Sequence, residues 1–317
     1  SPGLGEPAAL PALPAPPGLV VAPGPRLSCR RLSWETQAHL RAPGPGEEIL
    51  VVDAGGFPPE GDGSAARLLV AAAELGWRRL VTYRWRGGRF CGCGLPALAP
   101  GAALRIDVYG SSGDYLGSGL HGAEVHVHGS AQDQVGQILK AGRLVIHGDV
   151  GQTFLYGAKG GEAYVLGNAA GRPLINAAGS PRVVINGTCL DYLAESFMAG
   201  DPLRGGGFVV LNGLALDPHG RFVPLPTPYP GGNLFSLASG GAIYVRDPGS
   251  QVDESQLNGG AIVPLTEADW ALIQPYLEEN ERLLGVPVES LLAVDGERRR
   301  PEEVYRKIAA VQLAALS

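Results

Sequence analysis

Between Leu104 and Gly213 the apolar positions fall into a repeat with a beat of nineteen to twenty residues. Segments IDVYG, VHVHG, LVIHG, AYVLG and VVING close on Gly110, Gly129, Gly148, Gly167 and Gly187, and a longer gap leads to VVLNG, closing on Gly213. The fourth residue before each closing glycine is Ile106, Val125, Leu144, Ala163, Val183 or Val209. The second before it is Val108, Val127, Ile146, Val165, Ile185 or Leu211. Residues two apart on a strand share a face, so each segment predicts one short strand with two apolar side chains pointing the same way. Leu116, Val135, Phe154 and Leu193 keep the beat after the strands and form another inward row. Gly122, Gly142 and Gly161 mark corners before the strands, where glycine suits positive φ or close backbone approach. One strand per fixed period predicts parallel strands stacked into a β-helix, a mainly β solenoid.

The outward positions split the repeat. The row Asp107, His126, Val145, Tyr164, Val184, Val210 turns apolar from Val145 onward. A solvated outer face should be polar, so Val145, Tyr164, Val184 and Val210 are candidate docking positions, to be covered by another part of the chain or by a partner. His126, His128 and His147 are predicted to share the outer face on neighbouring strands. Three imidazoles at that spacing are the candidate metal ligands, although no carboxylate or thiolate is placed by spacing to complete a set. Stacking of like side chains from strand to strand is the competing explanation.

The flanks carry different patterns. Residues 1–25 are rich in Pro, Ala and Gly and predict an extended tether. Over 26–100 a small α/β module is expected: a buried strand at Ile49–Val52, a helix from Ala65 to Leu75 capped by Asp62 or Ser64 and stopped by Gly76, and a strand over Arg79–Trp85. That unit lacks G-x-G-x-x-G between strand and helix, which argues against a dinucleotide site. The repeat region spans 101–265, with insertions near 200–206 and 214–232. From 266 to 317 a helical tail is predicted. Thr266 and Asp269 resemble a capping box, Gly285 ends that helix, and Pro301 opens a last helix through Val304, Ile308, Val311 and Leu316.

Composition narrows the classes. The net charge of −6 gives no basic footprint for nucleic acid, and no apolar run approaches the ~20 residues of a membrane span. Four cysteines, at 29, 91, 93 and 189, are too few for a disulfide framework. With no secretion signal at the start, they point to a reduced, cytoplasmic setting. Cys91 and Cys93 form a lone C-x-C, weak evidence for a metal. No P-loop, G-x-S-x-G or H-E-x-x-H is present, so no catalytic set, cofactor site or nucleophile is assigned.

The stretches GSSGDYLGSGLHGAEVHVHG and GQTFLYGAKGGEAYVLGNAAG resemble the GXGXG domain at the C-terminal end of the glutamate synthase large subunit. Related domains occur in the C subunit of formylmethanofuran dehydrogenase and in a subunit of N-methylglutamate synthase. The free-standing subunit version is the most similar, and Asp53, Gly56, Gly76, Arg89, Gly92 and Gly94 match its N-terminal module. The resemblance implies a right-handed parallel β-helix with an N-terminal α/β cap module and a C-terminal helical tail. It implies a non-catalytic subunit holding glutaminase-like and FMN/iron–sulfur synthase chains together, or a homo-oligomer. A C-type scaffold subunit of a formylmethanofuran dehydrogenase or formyltransferase/hydrolase complex is the alternative from the same scaffold. An independent β-helix enzyme or ligand-binding protein is the alternative from another class. The closing glycine of the family's last strand is Asp247 here, and its Met-His pair is Leu237-Ala238.

Overall fold

A computed structural model of the protein describes residues 28–311. The tether expected over 1–25 and the last turn expected at Leu316 lie outside the described residues. Nine strands follow one another in parallel across a single sheet. They are β1 (Ser28–Leu32), β2 (Glu47–Asp53), β3 (Arg79–Arg86), β4 (Arg105–Ser111), β5 (His121–His128), β6 (Ala141–Ile146), β7 (Glu162–Val165), β8 (Arg182–Ile185) and β9 (Phe208–Leu211). The 214–232 insertion opens with a hairpin of β10 (Leu214–Leu216) and β11 (Phe222–Pro224). The sheet resumes with β12 (Ala242–Arg246), parallel to β9. At its far edge lies β13 (Gly260–Val263). A small hairpin of β14 (Ala293–Val294) and β15 (Glu297–Arg298) precedes β16 (Tyr305–Ala310), which is wedged antiparallel between β12 and β13. Helices are few: α1 (Ala65–Glu74), α2 (Glu267–Leu284), α3 (Val288–Leu291) and α4 (Pro301–Val304).

This twelve-stranded, mostly parallel sheet corrects the right-handed parallel β-helix that the repeat predicts. A β-helix needs further sheets built from the segments that return between strands. Here those segments are turns, joined across repeats by isolated bridges such as Ser112–Ala131, Val150–Ala169 and Ala178–Met198. Every second residue in them is left-handed: Tyr115, Gly117 and Gly119, then Gln134, Gly136 and Ile138, then Thr153, Leu155 and Gly157. Arg172, Leu174 and Asn176, and Tyr192, Ala194 and Ser196, continue the pattern. A strand cannot form through alternating left-handed residues. The conformation costs a non-glycine residue about 1–2 kcal/mol. Backbone bonds between repeats offset that cost: Tyr115 N–H donates to Asp133 O at 2.9 Å and Leu155 N–H to Val135 O at 2.8 Å. Side chains extend the ladder, with Asp133 N–H donating to Asp114 Oδ1 and Gln152 N–H to Asp133 Oδ1.

The predicted register holds through the repeat. Ile106, Val125, Leu144, Ala163, Val183, Val209 and Ile243 stand opposite one another on successive strands, all buried on the inner face. They pack with Val108, Val127, Ile146, Val165, Ile185 and Leu211, and with Leu116, Val135, Phe154, Leu174 and Leu193 from the turns, in one apolar core. Close spacing is why the strands close on glycine: a Cβ at Gly129 would collide with the Gly110 carbonyl oxygen. At the start of the sheet α1 packs into the same core through Ala65, Leu69, Ala72 and Ala73. It fills the place that turns fill in later repeats.

Another expectation is corrected in the tail. The helix beginning at Pro301 stops at Val304, and Tyr305–Ala310 is strand. Its Ile308 sits between Ile243 and Ile262, and pairing on both sides overrides the helical preference of this Ala-rich run. Strand β13 joins the sheet through β16, which lies between it and β12. The short edge strand β1 carries no apolar alternation in its sequence, SCRRL.

Candidate functional site

The outer face of the sheet carries the polar chemistry, and α2 divides it. Thr266 and Asp269 cap α2 reciprocally, and Gly285 ends it at φ 73°. The helix lays Ile273, Leu277 and Leu284 into one apolar cluster with Val145, Tyr164, Val184, Val210 and Tyr244. The four docking candidates are thus fully buried in a cluster closed by the chain's own helix. Two polar clamps fix that lid. Asp269, wholly buried, accepts from Tyr244 OH at 2.7 Å and Lys307 Nζ at 2.8 Å. Burial pushes its carboxyl up, but hydrogen bonds from Lys307, Thr266 and Tyr244 prevail and hold it below the usual range. Asn186 and Asn280 exchange two hydrogen bonds at 2.8 Å. Asn212 Nδ2 donates to Asn186, and Tyr305 OH donates to Asn212 at 2.7 Å. Sequence reasoning missed this network. Its one signal was a pair of asparagines at successive positions before the closing glycines.

The three histidines lie together on β5 and at the end of β6. The ring of His128 stacks between Tyr109 at 4.2 Å and His147 at 4.6 Å, while His126 stands 6.3 and 6.4 Å from His128 and His147. Their nitrogens do not converge. His128 Nε2 pairs with Asp107 Oδ1 at 2.9 Å and His126 Nε2 with Glu124 Oε1 at 2.6 Å. Among the described residues no group of three or more His, Cys, Asp and Glu side chains could hold a metal ion. Asp107 is buried, which raises its carboxyl, but the bonds from His128 and Arg105 prevail and hold it well below the usual range. His147 Nε2 is buried without a hydrogen-bond partner among the described residues. Burial first, then the neighbouring His128 and His126, push its imidazole down to about 4.

A second polar centre sits where β2 and β3 end. Asp53 takes a bidentate pair from Arg84 at 2.7 and 3.0 Å, a bond from Tyr83 OH and one from Arg31. Arg84 is left-handed, at φ 55°, and this bulge turns Trp85 into the core. Ser64, not Asp62, caps α1. Beside it an open cleft of about 640 Å³ is lined by Gly55, Gly56, Ser64, Arg84 and Arg86. Cys91 and Cys189 are fully buried, and burial pushes both thiols far up. Cys93, partly buried, points its Sγ to Tyr115 O.

A stacked parallel sheet with alternating left-handed turns and a helix-sealed outer face defines a repeat-built structural domain. The chain matches the GXGXG motif family over residues 89–293, and it belongs to that family. The match opens where the turn pattern does: Phe90, Gly92 and Gly94 form its first left-handed trio. A motif of glycines at every second position is what such turns favour, since glycine alone adopts positive φ without strain. The GXGXG domain is associated with glutamate synthase-type proteins. No curated protein matches the chain. No described helix is long and apolar enough to cross a membrane.

Proposed function

We propose that this chain is a non-catalytic scaffold subunit of a glutamate synthase-type assembly, holding a glutaminase-like subunit and an FMN/iron–sulfur synthase subunit at a fixed separation in the cytoplasm. The observation that carries the reading is family membership across the cross-bonded sheet. Twelve strands at ~4.8 Å make a spacer roughly 50 Å long. Its turns are tied repeat to repeat by backbone bonds, so it resists bending better than a linker would. The chemistry of the assembly then belongs to the other chains. Affinity purification of the chain from its native cell tests this, with FMN and iron–sulfur absorbance and glutaminase activity as readouts. Recovery of both partners in stoichiometric amounts is expected. Recovery of the chain alone, or turnover by the isolated chain, overturns the reading.

A further inference from the structure

One outer-face row alternates in charge. Across the register it runs Arg105, Glu124, Arg143, Glu162, Arg182. Opposite charges on neighbouring strands attract and like charges repel. Arg143 illustrates this, lying 2.9 Å from Glu162 and 3.8 Å from Glu124. One strand the other way, the rule breaks. Arg79 on β3 stands directly opposite Arg105, where alternation requires a carboxylate. Arg105 turns instead to Asp107 on its own strand, at 2.9 Å. Arg79 is exposed and makes no ion pair among the described residues.

The surroundings repeat the theme. Arg31 and Arg84 leave 56% and 55% of their side chains exposed while holding Asp53, so each can meet a further acid. Half-buried Val81, Tyr83 and Tyr109 lie among them. Arginine with tyrosine is the composition enriched at protein interfaces. Residues 28–105 hold ten arginines against seven Asp and Glu, in a chain whose net charge is −6. None of the residues in the α2 cluster comes from β1 to β5.

We propose that the outer face of β3 and β4, centred on Arg79, docks a carboxylate-rich surface of another subunit of the assembly. This rests on the scaffold reading. A partner acid over Arg79 completes the charge alternation, while Arg31 and Arg84, together at the other end of β3, can meet further acids of the same surface. Nucleic acid fits less well, because Asp53, Asp107 and Glu124 interrupt the basic surface that a phosphate backbone follows.

The test measures binding of the full chain to a glutaminase-like and an FMN-domain subunit from its native cell, at about 50 and about 500 mM salt, for wild type, Arg79→Gln and Arg79→Glu. Thermal melts confirm that each variant is folded. Wild type should bind one subunit. Arg79→Glu should weaken that binding by about tenfold or more at low salt, Arg79→Gln by less, and the gap should shrink at high salt. Unchanged affinity in Arg79→Glu overturns this proposal and leaves the scaffold reading standing. Failure of wild type to bind either subunit overturns both. Self-association lost in Arg79→Glu gives the face to a second copy and overturns the proposed occupant. Binding of a duplex DNA probe that Arg79→Glu abolishes overturns it likewise.

Discussion

From β6 to β12 one outer row reads Val145, Tyr164, Val184, Val210 and Tyr244, buried in the α2 cluster. From β1 to β5 the same row reads Arg31, Val51, Val81, Asp107 and His126, none of them in that cluster. Backbone pairing and the inner apolar rows continue unchanged across the boundary. The difference therefore lies in the outward side chains alone. From Val145 onward they are apolar and the chain covers them with its own helix. Where they are charged they settle in local pairs, Asp53 with Arg84 and Asp107 with His128 and Arg105.

Breaking the covered half should cost most. Tyr164→Ala removes a fully buried ring from the α2 cluster and should lower stability by about 3–5 kcal/mol. Partly buried Val81→Ala in the same row should lose less than ~1 kcal/mol. Paired denaturant titrations check both, and equal losses would erase the distinction between the halves. Asn280→Leu leaves the Asn186 amide short of its partner in a dry site and should cost about 1–3 kcal/mol. Amide exchange should show the loss in α2 before it reaches β4 and β5.

The histidine stack sharpens the comparison through pH. In the folded protein His147 titrates near 4, against 6.5 as its ordinary value, so between those values the unfolded chain binds more protons. Stability should be level above about pH 6.5, fall by roughly 1–3 kcal/mol as pH drops toward 4, and change little further from this group below that. Asp107, held low, adds its own loss only at more acid pH, below its ordinary value of 3.8. Melting curves of wild type and His147→Gln across this range give the check: the variant should lack the drop between 6.5 and 4. The smallest effect belongs to Arg143→Gln. It breaks pairs with Glu162 and with Glu279 of α2, both partly exposed, and should cost about 0.3–1 kcal/mol, less in high salt.

Much of this architecture was legible because alternation closed by glycine leaves little choice. Leu144 and Ile146, or Ala163 and Val165, face inward only as strands in one register. The period also showed that the strands stack in parallel. It could not show what the returning segments do, because that depends on residues such as Tyr115, Thr153 and Leu155 accepting positive φ, which their side chains do not advertise. Tyr305–Ala310 was misread because its pairing partners lie dozens of residues away. The histidines were placed on the right face, but their carboxylate partners, Asp107 one strand over and Glu124 two residues back, make separate pairs rather than one centre. Thr266 with Asp269 was readable, since a cap is local. Asn280 was not, since its partner Asn186 is ninety-four residues earlier.

Among the described strands β13 pairs only with β16. During synthesis it must wait, with its backbone unpaired, until Tyr305–Ala310 has left the ribosome and inserted. The end of the chain thus works as a keystone. Deleting it should free strand β13 upstream, and an extended peptide of the same sequence should be able to fill the vacated slot.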